Sequence, residues 1–269
     1  TTVSGSIETA GAAANGIFNR GDDNQTTVSG SIETAGAAAD GIFYAGDNNQ
    51  TTFSGSIVTA GDAANGIFNA GDNNQTTVSG SIVTAGGAAW GIFNNGDNNQ
   101  TTVSGSIETA GDGAYGLQNS GNDNITTVSG SIETEGETAY GIINIGRNST
   151  TIISGTVSAS GINTSALLNL LGSGSYTLNE NAVIIGDISA GSTSSNNKLK
   201  FNLGASSSYA YTLGGAGLGT GSGEWTFTDQ DGRTQGATSI NTSNCTAVIS
   251  GGVSLISACN FVTAVGSGN

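Results

Sequence analysis

The sequence repeats itself every 25 residues, without an insertion, across six units, and this period limits the fold more than any other feature. Residues 22–36 read DDNQTTVSGSIETAG, and residues 47–61 read DNNQTTFSGSIVTAG. A fixed period between about 20 and 50 residues indicates a repeat architecture, in which each unit packs only on its neighbours. A seventh unit begins at Thr151, keeps Ser154 and Gly155, and then drifts. The six regular units begin at Thr1, Thr26, Thr51, Thr76, Thr101 and Thr126.

Each unit contains two segments with the alternation of a β-strand. The segment TTVSGSIET alternates an inward side, with Val3, Ile7 and Thr9, and an outward side of Thr, Ser and Glu. A second strand is predicted at residues 15–19, NGIFN, with Ile17 facing inward. Parallel strands stack about 4.8 Å apart, so equivalent side chains would form apolar ladders inside the coil. The inward columns are Val3, Val28, Phe53, Val78, Val103, Val128 and Ile153; Ile7, Ile32, Ile57, Ile82, Ile107, Ile132 and Val157; and Ile17, Ile42, Ile67, Ile92, Leu117 and Ile142.

Glycine and asparagine mark the corners of the predicted coil. Gly11, Gly16 and Gly21 recur in all six units, where glycine allows a positive φ or a close approach of two backbones. Asn24 recurs at another corner, and stacked amides there can hydrogen-bond along the axis. Proline is absent, as expected where every strand donates to a neighbouring coil. The three glycines per unit and the lack of a Leu-rich helical period argue against a helical repeat.

These patterns predict an all-β fold, a parallel β-solenoid (β-helix) with right-handed winding and 25-residue coils. Residues 1–150 form the six regular coils. After Leu178 the period dissolves, although NAVIIGDISAG at residues 181–191 still echoes the repeat. We predict that residues 151–269 form degenerate coils and an irregular C-terminal cap within the same continuous domain.

The charge balance limits the partners of the chain. The chain has five basic and 20 acidic residues, which gives a net charge of −15. This balance repels a polyanion such as nucleic acid. No apolar run approaches the roughly 20 residues that cross a membrane as a helix. We therefore expect neither nucleic-acid binding nor a membrane span in this chain.

The residue types that most enzymes and metal sites need are missing or scattered. Histidine is absent, which removes Ser-His-Asp catalysis, and no G-x-S-x-G segment occurs. A column of acidic turn residues could suggest a calcium ladder, but its spacing differs from that of nonapeptide Gly/Asp repeats. Asn122 and Arg147 also replace the carboxylate in later coils, so we favour a solvated turn and expect no catalytic residue, metal or cofactor. The acidic column is Asp22, Asp47, Asp72 and Asp97.

Two cysteines and a row of sequons are candidate modification sites. Cys245 and Cys259 lie close together in a chain rich in Ser, Thr, Asn and Gly, and we predict a disulfide between them. Sequons recur once per coil and could carry glycans in a glycosylating organism. In an organism that does not glycosylate asparagine, the sequons carry no glycan. They then occur only because each repeat starts with Thr after an Asn corner. The sequons of the coils lie at Asn24, Asn49, Asn74, Asn99, Asn124 and Asn148.

The outward rows are candidate contact surfaces. Outward Thr and Ser repeat as a flat hydroxyl lattice, a geometry that ice-binding solenoids also use, although an ordinary Ser/Thr exterior explains it too. The outward Glu8 column changes to Val58 and Val83, and with the Phe18 column it could form an apolar face. For Phe18 we favour the alternative, in which the Ile-Phe pair straddles a bend and both side chains point inward. The candidate contact face consists of Thr2, Ser4, Ser6, Thr27, Ser29 and Ser31.

The repeat unit G-x-x-A-x-G-I-x-x-x-G-D-N-N-x-T-T-V-S-G-S-I-x-T-A-G resembles the repeats of bacterial autotransporter passenger domains and related surface adhesins. The resemblance covers residues 1 to about 160 well. It implies a secreted, surface-displayed β-helix that acts in adhesion, aggregation or matrix building. The chain departs from that family in two respects, because it carries the Cys245 and Cys259 pair and no C-terminal translocator barrel.

We therefore expect a structural, non-enzymatic β-solenoid, extracellular or at the cell surface. It would act as an adhesin-like stalk or as a filament or matrix subunit, whose copies stack head-to-tail at the coil edge that begins with Thr1. A strand such as VSLISACNFVTAV could cover that edge by strand addition. Its partners would be itself or a ligand on a host or neighbouring cell. The alternative is a binding module that recognises a repetitive target, glycan or ice, through the Thr/Ser face.

Overall fold

The structure is a computed structural model that describes residues 1–179, 181–191, 197–202, 208–213, 225–228, 249–250, 253–258 and 261–266, with side chains up to residue 200. Every regular element in these ranges is a β-strand. The strands wind into a parallel β-solenoid of about eight coils of ~25 residues. The all-β solenoid predicted from the repeat is thus confirmed, whereas its handedness remains a prediction.

The bounds of the strands follow the repeat. In chain order they are β1 Thr2–Val3, β2 Ser6–Thr9, β3 Ile17–Arg20, β4 Gln25–Val28, β5 Ser31–Thr34, β6 Ile42–Ala45, β7 Gln50–Phe53, β8 Ser56–Thr59, β9 Ile67–Ala70, β10 Gln75–Val78, β11 Ser81–Thr84, β12 Ile92–Asn95, β13 Gln100–Val103, β14 Ser106–Thr109, β15 Leu117–Asn119, β16 Ile125–Val128, β17 Ser131–Thr134, β18 Ile142–Asn144, β19 Ser149–Ile153, β20 Thr156–Ala159, β21 Leu167–Asn169, β22 Gly174–Asn179, β23 Val183–Ile185, β24 Asp187–Ala190, β25 Asn197–Asn202, β26 Ser208–Leu213, β27 Trp225–Thr228, β28 Ile249–Ser250, β29 Val253–Ala258 and β30 Phe261–Gly266.

Three sheets run along the solenoid, and each regular coil contributes one strand to each of them. Sheet 1 has the order β1-β4-β7-β10-β13-β16-β19-β22-β25-β27, and sheet 2 has the order β2-β5-β8-β11-β14-β17-β20-β23. Sheet 3 runs from β3 through β6, β9, β12, β15, β18, β21, β24, β26, β30 and β29 to β28. Equivalent residues lie side by side, as when Thr27 pairs with Thr2 and Ile32 pairs with Ile7. The sequence repeat therefore becomes a set of columns, each occupied by equivalent residues.

The predicted apolar columns fill the interior. Val28 and Ile32 are fully buried, and the two columns stay fully buried as far as Ile153 and Val157. Ile42 begins an equally buried column on sheet 3. The three columns join into one continuous hydrophobic core that extends along the coils. Because the hydrophobic effect scales with the apolar area removed from water, this core is the main source of stability.

A buried threonine closes one corner of each regular coil. The Oγ1 atom of Thr34 donates a hydrogen bond to the carbonyl of Ala39 at 2.6 Å, and Thr59 donates to Ala64 at 2.7 Å. The same bond recurs from Thr9 to Thr134 with lengths between 2.6 and 3.2 Å. The inward Thr column predicted from the sequence therefore occupies the core with its hydroxyl groups satisfied.

The left-handed backbone positions differ from the predicted ones. Of the three repeating glycines in the first unit, only Gly21 has a positive φ, at 115°. The left-handed residues that recur in every coil occupy the Ala13 and Asp23 columns, with φ between 49° and 64°. Asn and Asp tolerate this conformation through local hydrogen bonds, whereas an alanine there is strained by its Cβ atom.

The recurring glycines are needed instead because two coils approach each other closely. A Cβ atom at Gly66 would lie 2.3 Å from Ile82 Cγ2 and 2.5 Å from the Gly91 carbonyl oxygen. Equivalent contacts recur down this column. The sequence predicts either a positive φ or a close backbone approach at these glycines. At this corner, the structure supports the close backbone approach.

A ladder of asparagine side chains runs through the core, and the sequence analysis did not predict it. The Nδ2 atom of Asn94 donates to Asn119 Oδ1 at 2.8 Å, and Asn119 donates to Asn144 at 2.8 Å. Each of these amides also bonds a neighbouring threonine, as Asn94 does with Thr101 at 2.9 Å. The complete ladder is Asn69, Asn94, Asn119, Asn144, Asn169 and Asn197.

A tyrosine ends this ladder at one side. Tyr44 stands in the column before Asn69 and is fully buried. The Tyr44 hydroxyl and the Asn69 Oδ1 atom both lack a hydrogen-bond partner in the structure. Because buried polar groups are normally paired, these two atoms mark a weak point of the interior polar network.

The far end of the solenoid differs from its regular coils. Among the described strands, β23 is the last one in sheet 2, whereas sheet 1 continues to β27. Sheet 3 changes direction, because β26 pairs antiparallel with β30 and β30 pairs antiparallel with β29. The strands that we expected to cover another copy's edge, β29 and β30, thus pair within their own chain. This irregular arrangement agrees with the predicted C-terminal cap, and the division into residues 1–150 and 151–269 remains a prediction.

Candidate functional site

The predicted contact face is exposed, but it spans two sheets. Thr2 and Thr27 lie on the outer side of sheet 1, and Ser6 and Ser31 lie on sheet 2. Ser4 and Ser29 lie between the sheets, outside any strand. The six residues therefore follow a bend, and the predicted flat lattice is wrong for the set as a whole.

The outer side of sheet 1 carries a simpler lattice. Outward positions alternate with the buried Thr26 and Val28 columns, so Gln25 and Thr27 both face solvent. These two columns are in register from coil to coil, about 4.8 Å apart along the axis. No carboxylate occupies either column within the described residues, although the chain carries a net charge of −15. The lattice consists of Thr27, Thr52, Thr77, Thr102 and Thr127 beside Gln25, Gln50, Gln75 and Gln100.

The phenylalanine column faces outward, so the favoured inward placement is wrong. Period-two alternation on β6 buries Ile42 and Tyr44 and leaves Phe43 half-buried on the outer surface of sheet 3. The rings stack on one another, with centroids 4.8 Å apart between Phe43 and Phe68 and 4.7 Å between Phe68 and Phe93. Stacking hides the ring faces and presents mainly ring edges to solvent. Phe18, 48% exposed, ends the stack.

The acidic turn column has a structural role. Each carboxylate accepts a backbone N–H from the next coil: Asp47 donates to Asp22 Oδ1 at 2.9 Å, and Asp72 donates to Asp47 Oδ1 at 2.8 Å. In a later coil, Asn122 Oδ1 accepts the backbone N–H of Arg147 at 3.0 Å. An asparagine can therefore replace the aspartate in this column. Within the described part of the chain, no group of three or more His, Cys, Asp or Glu residues could hold a metal ion.

Most sequon asparagines are inaccessible in the folded coil. Asn49, Asn74, Asn99 and Asn124 are at most 1% exposed, and their amide oxygens accept backbone N–H groups from the preceding coil. This confirms the predicted corner column of hydrogen-bonded Asn residues, with the backbone as the donor. A glycan on these four amides is incompatible with the folded coil. Asn24 is half-buried and Asn148 is exposed, and glycosylation at Asn148 remains a prediction.

One acidic residue is buried among amides. Asp40 is 6% exposed, and its Oδ1 atom accepts hydrogen bonds from the Asn65 backbone at 2.8 Å and the Asn65 Nδ2 atom at 2.9 Å. Its own N–H donates to Asn15 Oδ1 at 2.8 Å. Burial raises the pKa of the Asp40 carboxyl from 3.8 to about 6, although the two Asn65 bonds lower it.

A polar cleft of about 480 Å³ opens where the regular lattice of sheet 1 ends. Its base is a column of Thr150, Ser175 and Lys198, which pair in register on β19, β22 and β25. Asn148 and Ser173 form one wall, and the Ser173 hydroxyl donates to Asn148 Oδ1 at 2.9 Å. Hydroxyls, an amide and one ammonium group therefore converge on this cleft, and no carboxylate is among the described residues that line it.

The sequence contains a signal for this cleft that the pattern analysis missed. The column that holds glutamine in four coils changes to Ile125, then to Thr150, Ser175 and Lys198. Shortening a glutamine to a serine opens space above the strand. Ile125, Thr150 and Ser175 keep the 25-residue interval, whereas Ser175 and Lys198 are 23 apart, so only the register of the drifting coils places Lys198 in this column.

The remaining expectations concern the membrane, the cysteines and the family. Within the described residues, no helix has the length and apolar character needed to cross a membrane. Cys245 and Cys259 lie outside the described residues, and their disulfide remains a prediction. Comparison with protein-family models, curated proteins and solved structures gave no match. The fold therefore defines the class, a parallel β-solenoid of repeated coils, while kinship with autotransporter passengers or adhesins has no support from these comparisons.

Proposed function

We propose that this chain is a structural, non-enzymatic β-solenoid stalk that acts outside the cell or at its surface. The observation that carries the proposal is the commitment of its repeating side chains to the stack itself. Within the regular coils, the acidic corners, the Asn corners, the buried Thr column and the Asn ladder all bond to an adjacent coil or across their own corner. Such side chains supply length and stiffness rather than a reaction centre.

Two arrangements are compatible with a structural role, an isolated stalk and a head-to-tail filament. A filament needs an end that accepts the parallel edges of β1, β2 and β3 from another copy. At the opposite end, the described strands of sheet 3 turn antiparallel within their own chain. An antiparallel edge does not continue the parallel stacking that a filament needs, and this supports the stalk. The extracellular location rests on the resemblance to displayed repeats.

Surface proteolysis of intact source cells tests the location. A protease that cleaves after Asp and Glu suits this chain, because it has 20 acidic and only five basic residues. We expect peptides from the accessible Glu8 and Glu33 column to be released from intact cells. Peptides that appear only after lysis, with a periplasmic or cytosolic marker, would contradict the proposal.

A binding module is the second candidate, and the outer lattice of sheet 1 favours it. The Gln25 and Thr27 columns offer donors and acceptors at a regular spacing on a surface without carboxylates among the described residues. A repetitive target, glycan or ice, could match that spacing. Thr77→Tyr, in the middle of the lattice, should abolish such binding, whereas Ser81→Tyr on sheet 2 serves as the control. If both variants bind the target equally, the lattice is not the binding surface.

A further inference from the structure

We infer that the cleft formed by Asn148, Thr150, Ser173, Ser175 and Lys198 binds a carboxylated sugar unit of an acidic glycan. This inference goes beyond the proposed stalk and does not depend on it, because a stalk can exist with or without a ligand site. It assigns a ligand class to a cleft whose outward Thr150, Ser175 and Lys198 side chains the proposed stalk does not use.

The size and lining of the cleft indicate the ligand class. Its volume of about 480 Å³ lies within the range of sites for small organic ligands and exceeds the need of an inorganic anion. Ser and Thr hydroxyls both donate and accept hydrogen bonds, as sugar hydroxyls do. Lys198 provides the single positive charge, which pairs with one carboxylate and leaves the other contacts neutral. A phosphate or sulfate cluster would require more cations than these residues supply.

Lys198 is exposed, and no ion pair joins it to any other described residue. Lys200 lies two positions along the same strand, on the same side. Both lysines thus stand at the end of a face whose outward columns contain no carboxylate within the described residues, in a chain of net charge −15. Uncompensated cations on an otherwise acidic protein favour an external anion.

The neighbouring corner changes charge at the same level. The acidic column that starts at Asp22 ends at Asp97, and its next two positions hold Asn122 and Arg147. The Arg147 side chain lies against Gly172, next to the wall residue Ser173. Asp123 is the carboxylate that precedes Asn148 in its own column. The column that begins at Asp22 has thus lost its carboxylates at the level of the cleft, and Asp123, one coil before Asn148, is the nearest carboxylate in the neighbouring column.

The regular coils show how the cleft can be closed without disturbing the fold. Its base column carries glutamine from Gln25 to Gln100, on the same sheet and in the same register as Ser175. Ser175→Gln should therefore restore the regular lattice and fill the cleft. Lys198→Gln removes the charge with little loss of length, and Lys200→Gln is the matched control on the same strand.

The test is titration calorimetry of the full chain with a hexameric oligogalacturonate at physiological ionic strength, which screens the repulsion between this polyanion and the net charge of the chain. The neutral comparison is the corresponding hexamer with its carboxyl groups reduced. Free galacturonate and inorganic phosphate complete the set, since they separate a sugar unit in a chain from a free acid and from a simple anion. Circular dichroism and thermal melting establish that each variant is folded.

We expect the acidic hexamer to bind, and Lys198→Gln and Ser175→Gln to weaken it by roughly tenfold or more, as the loss of a charge-assisted contact implies. Lys200→Gln should change the affinity by less than about twofold, because Lys200 is half-buried and lies outside the residues that line the cleft. The inference is overturned if the acidic hexamer does not bind, if the neutral hexamer binds equally well, if phosphate competes as well as galacturonate, or if Lys200→Gln has the larger effect.

Discussion

Asp40→Asn should stabilise the protein at neutral pH. Asp40 is 6% exposed and is surrounded by the amides of Asn15 and Asn65. Asparagine keeps the Oδ1 acceptor for the two Asn65 bonds and removes the buried charge. It also continues the side-chain ladder from Asn15 to Asn65, so the substitution introduces no new shape into the column.

The magnitude follows from the pKa of the buried carboxyl. Burial raises the Asp40 pKa from 3.8 to about 6, a rise that corresponds to ~3 kcal/mol of differential stability. Because the folded-state pKa lies above the unfolded one, folding takes up a proton between about pH 4 and pH 6. This stability contribution is fully present below about pH 4 and is lost as the pH rises through 6. The advantage of Asp40→Asn should therefore grow from near zero at pH 4 to at most ~3 kcal/mol at pH 7.

The assay is urea unfolding followed by circular dichroism at several values between pH 4 and pH 7.5. Asp62→Asn is the control, because Asp62 also accepts a backbone N–H from the next coil, at 2.9 Å, but is exposed. Hydrogen exchange at the Asn65 amide gives a local readout if the coils unfold in steps. A difference between Asp40→Asn and wild type that is independent of pH, or a destabilised variant at pH 7, would refute the reasoning.

Three substitutions test the packing of the coils. Asn119→Leu should cost about 2–5 kcal/mol, because it breaks the amide ladder and leaves buried amide groups of the adjacent coils without partners. Thr59→Val should cost about 1–3 kcal/mol, because the buried Ala64 carbonyl loses its donor. Gly66→Ala should be more destabilising than Gly113→Ala, because a Cβ atom at Gly66 collides with the next coil, whereas Gly113 has nothing within 4 Å. Gly113 has a left-handed φ of 64°, but its column already carries alanine at Ala13, Ala38, Ala63 and Ala88, so this strain is tolerated by the fold.

Thermal and urea unfolding measure all four variants, and exposed positions provide the controls. Asn95→Leu and Thr52→Val change the same residue types on the outer surface and should have little effect. If Asn119→Leu were as stable as Asn95→Leu, the interior ladder would not contribute to stability. Equal effects of Gly66→Ala and Gly113→Ala would contradict the steric role of the Gly66 corner.

The sequence predicted the architecture because the strand pattern is repeated in register. One unit with Val28, Ile32 and Thr34 on the inner side gives a weak strand signal, whereas six units give a consistent column. The fixed 25-residue interval also determines which residues pair, so the parallel register of Ile32 with Ile7 required no further information.

The predictions from the sequence were wrong or incomplete where an aromatic side chain lies outside the coil or a polar side chain lies inside it. Strict alternation on β6 places Phe43 outside and Tyr44 inside, as the structure does, whereas the usual burial of aromatic residues favours a bend with both Ile42 and Phe43 inside. The interior Asn94 column was missed for the same reason, since an isolated asparagine is rarely buried. Only the repetition of the coil, which supplies another amide 25 residues away, makes that burial favourable.

The cleft at Lys198 could not be predicted from the repeat because it occurs where the repeat fails. Its column is defined by the pairing of Thr150 with Ser175 and of Ser175 with Lys198, and the second step skips the 25-residue interval. The tertiary register of the drifting coils was needed to bring these residues together.

Sedimentation velocity of the full chain over a wide concentration range tests the central claim most directly, because a stalk and a head-to-tail filament differ in mass. We expect a single elongated species near 26.3 kDa whose mass does not depend on concentration. Species that grow with concentration in multiples of that mass, and appear as filaments by electron microscopy, would contradict it.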